Sequence, residues 1–228
     1  DHFANELVNL VRMAEHITTQ TGNDRVLVNG SRNSRHRPLG FLRGELEELA
    51  DRVLLDMLHY RAVSRNWPLN LQFCMPLAEF PDFHSGYKLY SRPIAEAVFG
   101  SEPSLSGCSE NACYRHACEA VTVVECLENG ATLGEITRST FNEQPVSSFG
   151  KLDRIQLGAD KIIWPGKRLE IPPQFIRQWL MNHMSRLMLP TLSPQGKDEF
   201  ARIVGTVMET LDPSAQDHPS ATWGPLFV

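Results

Sequence analysis

The fold turns on the stretch from Val121 to Pro173. It opens with VTVVECLENGATLGEITRSTF (121–141) and closes with SSFGKLDRIQLGADKIIWPGKRLEIPP (147–173). Val121, Val123 and Cys126 supply side chains suited to a strand. Asn129-Gly130 offers a turn, and Thr132 can cap a helix that sends Leu133, Ile136 and Phe141 inward. Leu152, Ile155 and Leu157 then form a second helical set with Gly158 as its stop. Pro165-Gly166 makes a turn that delivers Leu169 and Ile171 to one face of a closing strand. The predicted order is strand, helix, helix, strand.

Outward from this stretch the pattern is mainly helical. Phe3, Leu7, Leu10, Val11, Ala14 and Ile17 recur at helical spacing, with Gly22 as a stop. Leu42, Leu46, Leu49, Ala50, Val53, Leu54, Met57 and Leu58 keep a stripe opposite Glu45, Glu47, Glu48, Asp51 and Arg52. Between them, residues 29–40 carry Arg32, Arg35, His36 and Arg37 among turn formers without an apolar period. They read as an exposed loop, solvated more readily than phosphate-gripping. Residues 69–80 alternate in part and are broken by Pro76, as in a short edge strand. The remainder as far as Gly107 carries no pattern that places it. Beyond Pro173, helices are expected at Phe175 to Met188 and Asp198 to Leu211, followed by an extended tail whose apolar end is Leu226, Phe227 and Val228. The expected class is α+β: a mostly helical region 1–107, a βααβ module at 121–173 packed among amphipathic helices, and C-terminal helices with a tail at 174–228.

The 228 residues include 22 basic and 27 acidic side chains, a net charge of -5 that weighs against nucleic acid as a partner. With 42% hydrophobic and 21% charged residues, neither global disorder nor a collagen-like repeat is expected. No apolar run reaches the roughly 20 residues of a membrane span, and DHFANELVNL is not a signal peptide, so export requires a signal or anchor upstream of Asp1. Cys74 stands apart from Cys108, Cys113, Cys118 and Cys126. The clustered four suit two bridges in an oxidising compartment or four thiols in a reducing one.

The run Glu128-Asn129-Gly130-Ala131-Thr132-Leu133 and the run Ile162-Ile163-Trp164-Pro165-Gly166-Lys167-Arg168-Leu169-Glu170-Ile171-Pro172 resemble the opening and closing motifs of the LysM family, small βααβ modules that bind N-acetylglucosamine-containing glycans such as peptidoglycan and chitin. The resemblance covers residues 121–173 alone. Ala131 stands where the family usually has an acidic residue, and Gly158-Ala159-Asp160 stands near where it often has Asn. The resemblance implies a glycan groove at Gly130, Ala131, Thr132, Ile162 and Ile163, with Trp164 either stacking on sugar or plugging the interface with flanking helices. It also implies a non-enzymatic scaffold that contacts peptidoglycan in the periplasm or cell envelope, works with protein partners, and needs no cofactor or metal.

Two other readings compete. Leu105-Ser106-Gly107-Cys108 resembles a stretch of certain toxin deamidases, which implies a cysteine-dependent amidase or deamidase with Cys108 as nucleophile and His116 as the nearest base. A phage tail or baseplate part is the other, since LysM-like modules occur there. A zinc site drawn from Cys113, His116 and Cys118 with Cys108 or Cys126 lacks paired Cys-x-x-Cys spacing. No HExxH, Gly-x-Ser-x-Gly, phosphate-loop or dinucleotide motif occurs, and a lone His such as His59 is more often packed or exposed than catalytic.

Overall fold

A computed structural model of the chain describes residues 4–34, 41–74, 79–138, 153–188 and 194–213. The chain is of mixed α and β type and divides into two units: Asp1–Ser104 with Cys118–Val146, and Leu105–Ala117 with Ser147–Val228. The boundary runs through the 121–173 stretch. Among the described residues, no helix is long and apolar enough to cross a membrane.

In the first unit a short 3-10 turn, Ala4–Glu6, leads into helix α1 (Leu7–Thr21). Gly22 ends α1 in the left-handed region, φ 70°, with its N–H on the Thr18 carbonyl. Strand β1 (Val26–Ser31) follows, then α2 (Phe41–Arg65), β2 (Lys88–Tyr90), α3 (Arg92–Phe99), α4 (Cys118–Glu128) and β3 (Thr132–Thr137). The sheet order is β2-β1-β3, with β1 antiparallel to β2 and parallel to β3. One sheet face is dry. Leu10 and Ile17 of α1 pack with Val26, Val28 and Tyr87, joined by Met13, Ala14, Phe73, Leu89 and Ile136. Gly134 has no side chain because a Cβ there would strike the Ile17 Cδ1 of the helix lying on it. Fully burying each such aliphatic side chain contributes about 1.5–3 kcal/mol.

The second unit holds a π-helical turn at Ala112–His116 and helices α5 (Arg154–Arg168), α6 (Pro173–Met188) and α7 (Pro194–Leu211). Asp153 caps α5, its Oδ1 accepting from the N–H groups of Ile155 and Gln156 at 2.9 and 3.3 Å. Ile162, Trp164, Leu169, Ile176, Leu180, Phe200, Ile203 and Val207 form its buried set. Gly158 lets α5 approach α7: a Cβ there would sit 2.8 Å from Ile203 Cδ1.

The four long helices read from periodicity are present, with α7 beginning earlier than Asp198. The βααβ order is not. Val121 to Leu127 lie inside α4, where Val121, Val123, Val124, Cys126 and Leu127 are all buried. An apolar run of this length fits strand or helix equally, and burial around most of the helix overrides the strand preference of valine. Asn129-Gly130 does turn the chain, Gly130 at φ 79°, but Thr132 to Thr137 then form β3 where a helix was expected. Pro165-Gly166 does not break the chain into a closing strand either. Both are buried in the last turn of α5, and the reversal comes later, at Glu170 with φ 55°. Phe141 and Leu152 lie outside the described residues.

The predicted exposed loop 29–40 is also corrected in part. Asn29, Gly30 and Ser31 are the buried end of β1, and residues 35–40 lie outside the described set. Of the edge strand expected at 69–80, Phe73 makes a single parallel bridge to Gly134. Residues 75–78 and the tail from 214 are outside the described set.

Candidate functional site

Alternation along β1 sends Val26, Val28 and Gly30 to the dry face, so Leu27, Asn29 and Ser31 face the other way. Register places Asn29 opposite Lys88 on β2 and opposite Glu135 on β3. The second face therefore carries a polar row, Lys88–Asn29–Glu135, running across all three strands toward the carboxyl ends of the parallel pair. In open α/β sheets that end is where ligands bind.

A buried loop covers the row. Phe80, Asp82, Phe83, His84 and Ser85 are all buried, and a buried loop must find partners for its backbone. Side chains supply them. Asp82 N–H donates to Glu135 Oε1 at 2.8 Å, and His84 N–H donates to Asp51 Oδ1 at 3.2 Å. Asn29 Nδ2 donates to the Asp82 carbonyl at 3.4 Å. Lys88 Nζ donates to the Phe83 carbonyl at 3.0 Å and to the Ser85 carbonyl. Ser85 Oγ donates to the Gly30 carbonyl at 2.6 Å, so it is committed and not a free nucleophile.

The charges form a dense set. Arg32 grips Asp82 with two nitrogens, Nε to Oδ2 at 2.8 Å and Nη2 to Oδ1 at 2.6 Å, and reaches Glu47 at 3.4 Å. Burial works against the Arg32 charge, but Asp82, Glu47 and Asp51 more than offset it and raise its pKa. For Lys88 burial wins. Although part of its side chain meets solvent, its amine is pulled down to about 8 against the opposing influence of Glu119, Asp82 and Asp51. Burial also lowers Arg138, with Asp82 pulling the other way.

At the centre stands a His–Asp pair. His84 Nδ1 lies 2.7 Å from Asp51 Oδ1, and both side chains are fully enclosed. A carboxylate accepts only, so the Nδ1 facing Asp51 carries a proton. Among the described residues, His84 Nε2 has no hydrogen-bond partner, and neither has Asn29 Oδ1.

The residues singled out from sequence lie elsewhere. Gly130, Ala131 and Thr132 belong to the first unit, Ile162 and Ile163 to the second. Gly130 alone is exposed: Ala131, Thr132, Ile162 and Ile163 are at most 2% exposed, and Trp164 is fully buried in the second unit's core. Buried side chains make no open trough. None of the five cysteines is in a disulfide. Among the described residues, no group of three or more His, Cys, Asp or Glu is placed to hold a metal ion, so Cys108, Cys113, His116, Cys118 and Cys126 do not converge on one.

His116 has a buried partner, which is Asp160 and not Cys108: Nδ1 lies 2.6 Å from Oδ2, while Gln156 Nε2 donates to Oδ1 at 2.8 Å. Cys108 follows a strained turn, Ser106 at φ 51° and Gly107 at φ 71°, and Lys167 donates to the Gly107 carbonyl at 3.3 Å. Burial pushes the Cys108 thiol up, with Lys167 opposing and Asp160 adding, which disfavours the thiolate.

Asn29, Asp51, Asp82, His84 and Lys88 were not identified as functional from sequence. Asp51 read as an exposed helix position, and residues 81–90 had no legible pattern. The available signal was the string PDFHSG (81–86), three polar residues among apolar neighbours beside a Gly. No family model matches this chain, no curated protein matches it, and no solved structure matches it, so nothing in these comparisons identifies a LysM module.

Proposed function

We propose that the first unit is an acid–base catalytic unit for a small polar molecule, with His84 as general base, Asp51 fixing its tautomer, and Lys88 as a nearby amine able to exchange its proton near pH 8. The observation that carries this reading is the fully enclosed His84–Asp51 pair, with Nδ1 2.7 Å from the carboxylate. Ionisable groups with perturbed environments, gathered at the ligand-binding end of a sheet, mark functional sites more often than inert ones. The test is turnover of a panel of small amides, esters and amidines by the wild type, His84→Gln and Asp51→Asn. Removing a general base lowers turnover about 10²–10⁴-fold. Equal turnover by a folded His84→Gln variant contradicts the reading.

The thiol reading of the second unit keeps one specific support, the buried His116–Asp160 pair beside the strained turn before Cys108. Alkylation of Cys108 with loss of amidase activity is its test. The peptidoglycan-scaffold reading has the exposed Gly130 in its favour, and a pull-down on insoluble peptidoglycan tests it directly.

A further inference from the structure

Asn9, Arg12, Met13 and His16 are spaced i, i+3, i+4 and i+7 along α1, so they share one face of the helix. That face meets Ile136 of β3, and together these side chains line a groove of about 370 Å³ on the first unit, within the range of small-molecule clefts. Met13 and Ile136 are half-buried against the dry cluster and give the groove an apolar floor. Its rim is polar. His16 stands edge-on to Phe73, ring centroids 5.8 Å apart, which holds one wall in place. Asn9 Nδ2 donates to Glu6 Oε2 at 3.5 Å, and Glu6 itself is buried and outside the lining. Arg12 is exposed and, among the described residues, makes no ion pair, so its planar fork of donors faces solvent. No carboxylate lines the groove, in a chain whose net charge is -5.

We infer that this groove binds a small carboxylic acid with an apolar body, the carboxylate on Arg12 and the body on Met13 and Ile136. A guanidinium matches the planar fork of a carboxylate and keeps its charge throughout the physiological pH range, so the pairing does not depend on the state of His16. A bare anion such as phosphate meets the same cation but leaves the floor in water, whereas an apolar body covers it. A neutral amide of the same shape covers the floor and forfeits the charge-assisted bonds. The groove lies where α1 meets β3 on the dry face, apart from the polar row on the other face, so this inference stands or falls independently of the acid–base reading.

The experiment titrates the isotope-labelled full chain with benzoate, benzamide and inorganic phosphate in turn at constant ionic strength, following the Arg12 Nε–H group and the Met13 and Ile136 methyl groups by NMR. The inference expects saturable shifts at all three residues with benzoate, and binding weaker by about tenfold or more for benzamide and for phosphate. Arg12→Gln, at an exposed position where the fold is not at stake, is expected to lose the preference for benzoate over benzamide. No saturable shift with benzoate means that the groove is a surface furrow only. Equal affinity for benzoate and benzamide means that the charge is not read, and equal affinity for benzoate and phosphate means that the floor is not. Each of these results overturns the inference, as does an Arg12→Gln variant that keeps the preference.

Discussion

The two faces of the three-stranded sheet are built from alternate residues of one six-residue strand, and they differ in kind. Val26 and Val28 meet α1 in a dry cluster in which each contact is small and replaceable. Asn29, one residue on, sits in a row with Lys88 and Glu135 beneath a buried loop held by Asp51, Asp82 and Arg32. The dry face stabilises by area, which is tolerant of shape-conserving change and insensitive to pH. The polar face depends on every partner being present, since removing one leaves another buried without compensation. The two faces therefore answer differently to substitution.

Substitutions on each face sharpen this contrast. Asp82→Ala removes the bidentate partner of the buried Arg32 guanidinium, leaving Glu47 at 3.4 Å and the influence of Asp51, and is expected to cost about 3–5 kcal/mol in denaturant unfolding. A loss below 1 kcal/mol would place the pair among weak surface bridges. On the dry face, Gly134→Ala drives a methyl into Ile17 and should cost about 1–3 kcal/mol, part of it recovered when Ile17 is shortened to Val in the same chain. Ile17→Val alone should cost about 0.5–1.5 kcal/mol, the same at pH 6 and pH 9.

The last expected effect is a slope. Lys88 keeps its proton in both states below about pH 8; between there and its ordinary value of 10.5 the folded chain has released it while the unfolded chain holds it. The unfolded state then binds more protons, so this residue makes stability rise with pH across that window. Burial pushes Cys126 and Tyr90 up to about 12, and both act in the opposite direction on the alkaline side. Comparison of the wild type with Lys88→Met cancels them. The wild type is expected to gain on the variant from pH 8 to 10, and parallel curves would contradict the buried amine.

Periodicity made the helices legible because their apolar stripes are long: Leu42 to Leu58 and Phe200 to Leu211 leave little choice of structure. The strands were not legible, for two physical reasons. β1 is covered on both faces, so Val26-Leu27-Val28 shows no alternation, and the Asn-Gly-Ser that follows imitates a loop while lying in the sheet. α4 is buried around most of its circumference, so its valines imitate a strand. The site was hidden because its members come from β1, α2, the 79–85 loop, β2 and β3, far apart in sequence. Only register brings Lys88, Asn29 and Glu135 into one row. The His116 candidate was visible, but its partner Asp160 lies 44 residues away and no local spacing announces it.

The central claim is that Asp51 holds a proton on Nδ1 of the buried His84, and nitrogen-15 NMR of the histidine rings tests it most directly. The account predicts a proton on His84 Nδ1, and weaker preference for that nitrogen in Asp51→Asn. A His84 ring protonated on Nε2 with Nδ1 bare would contradict it.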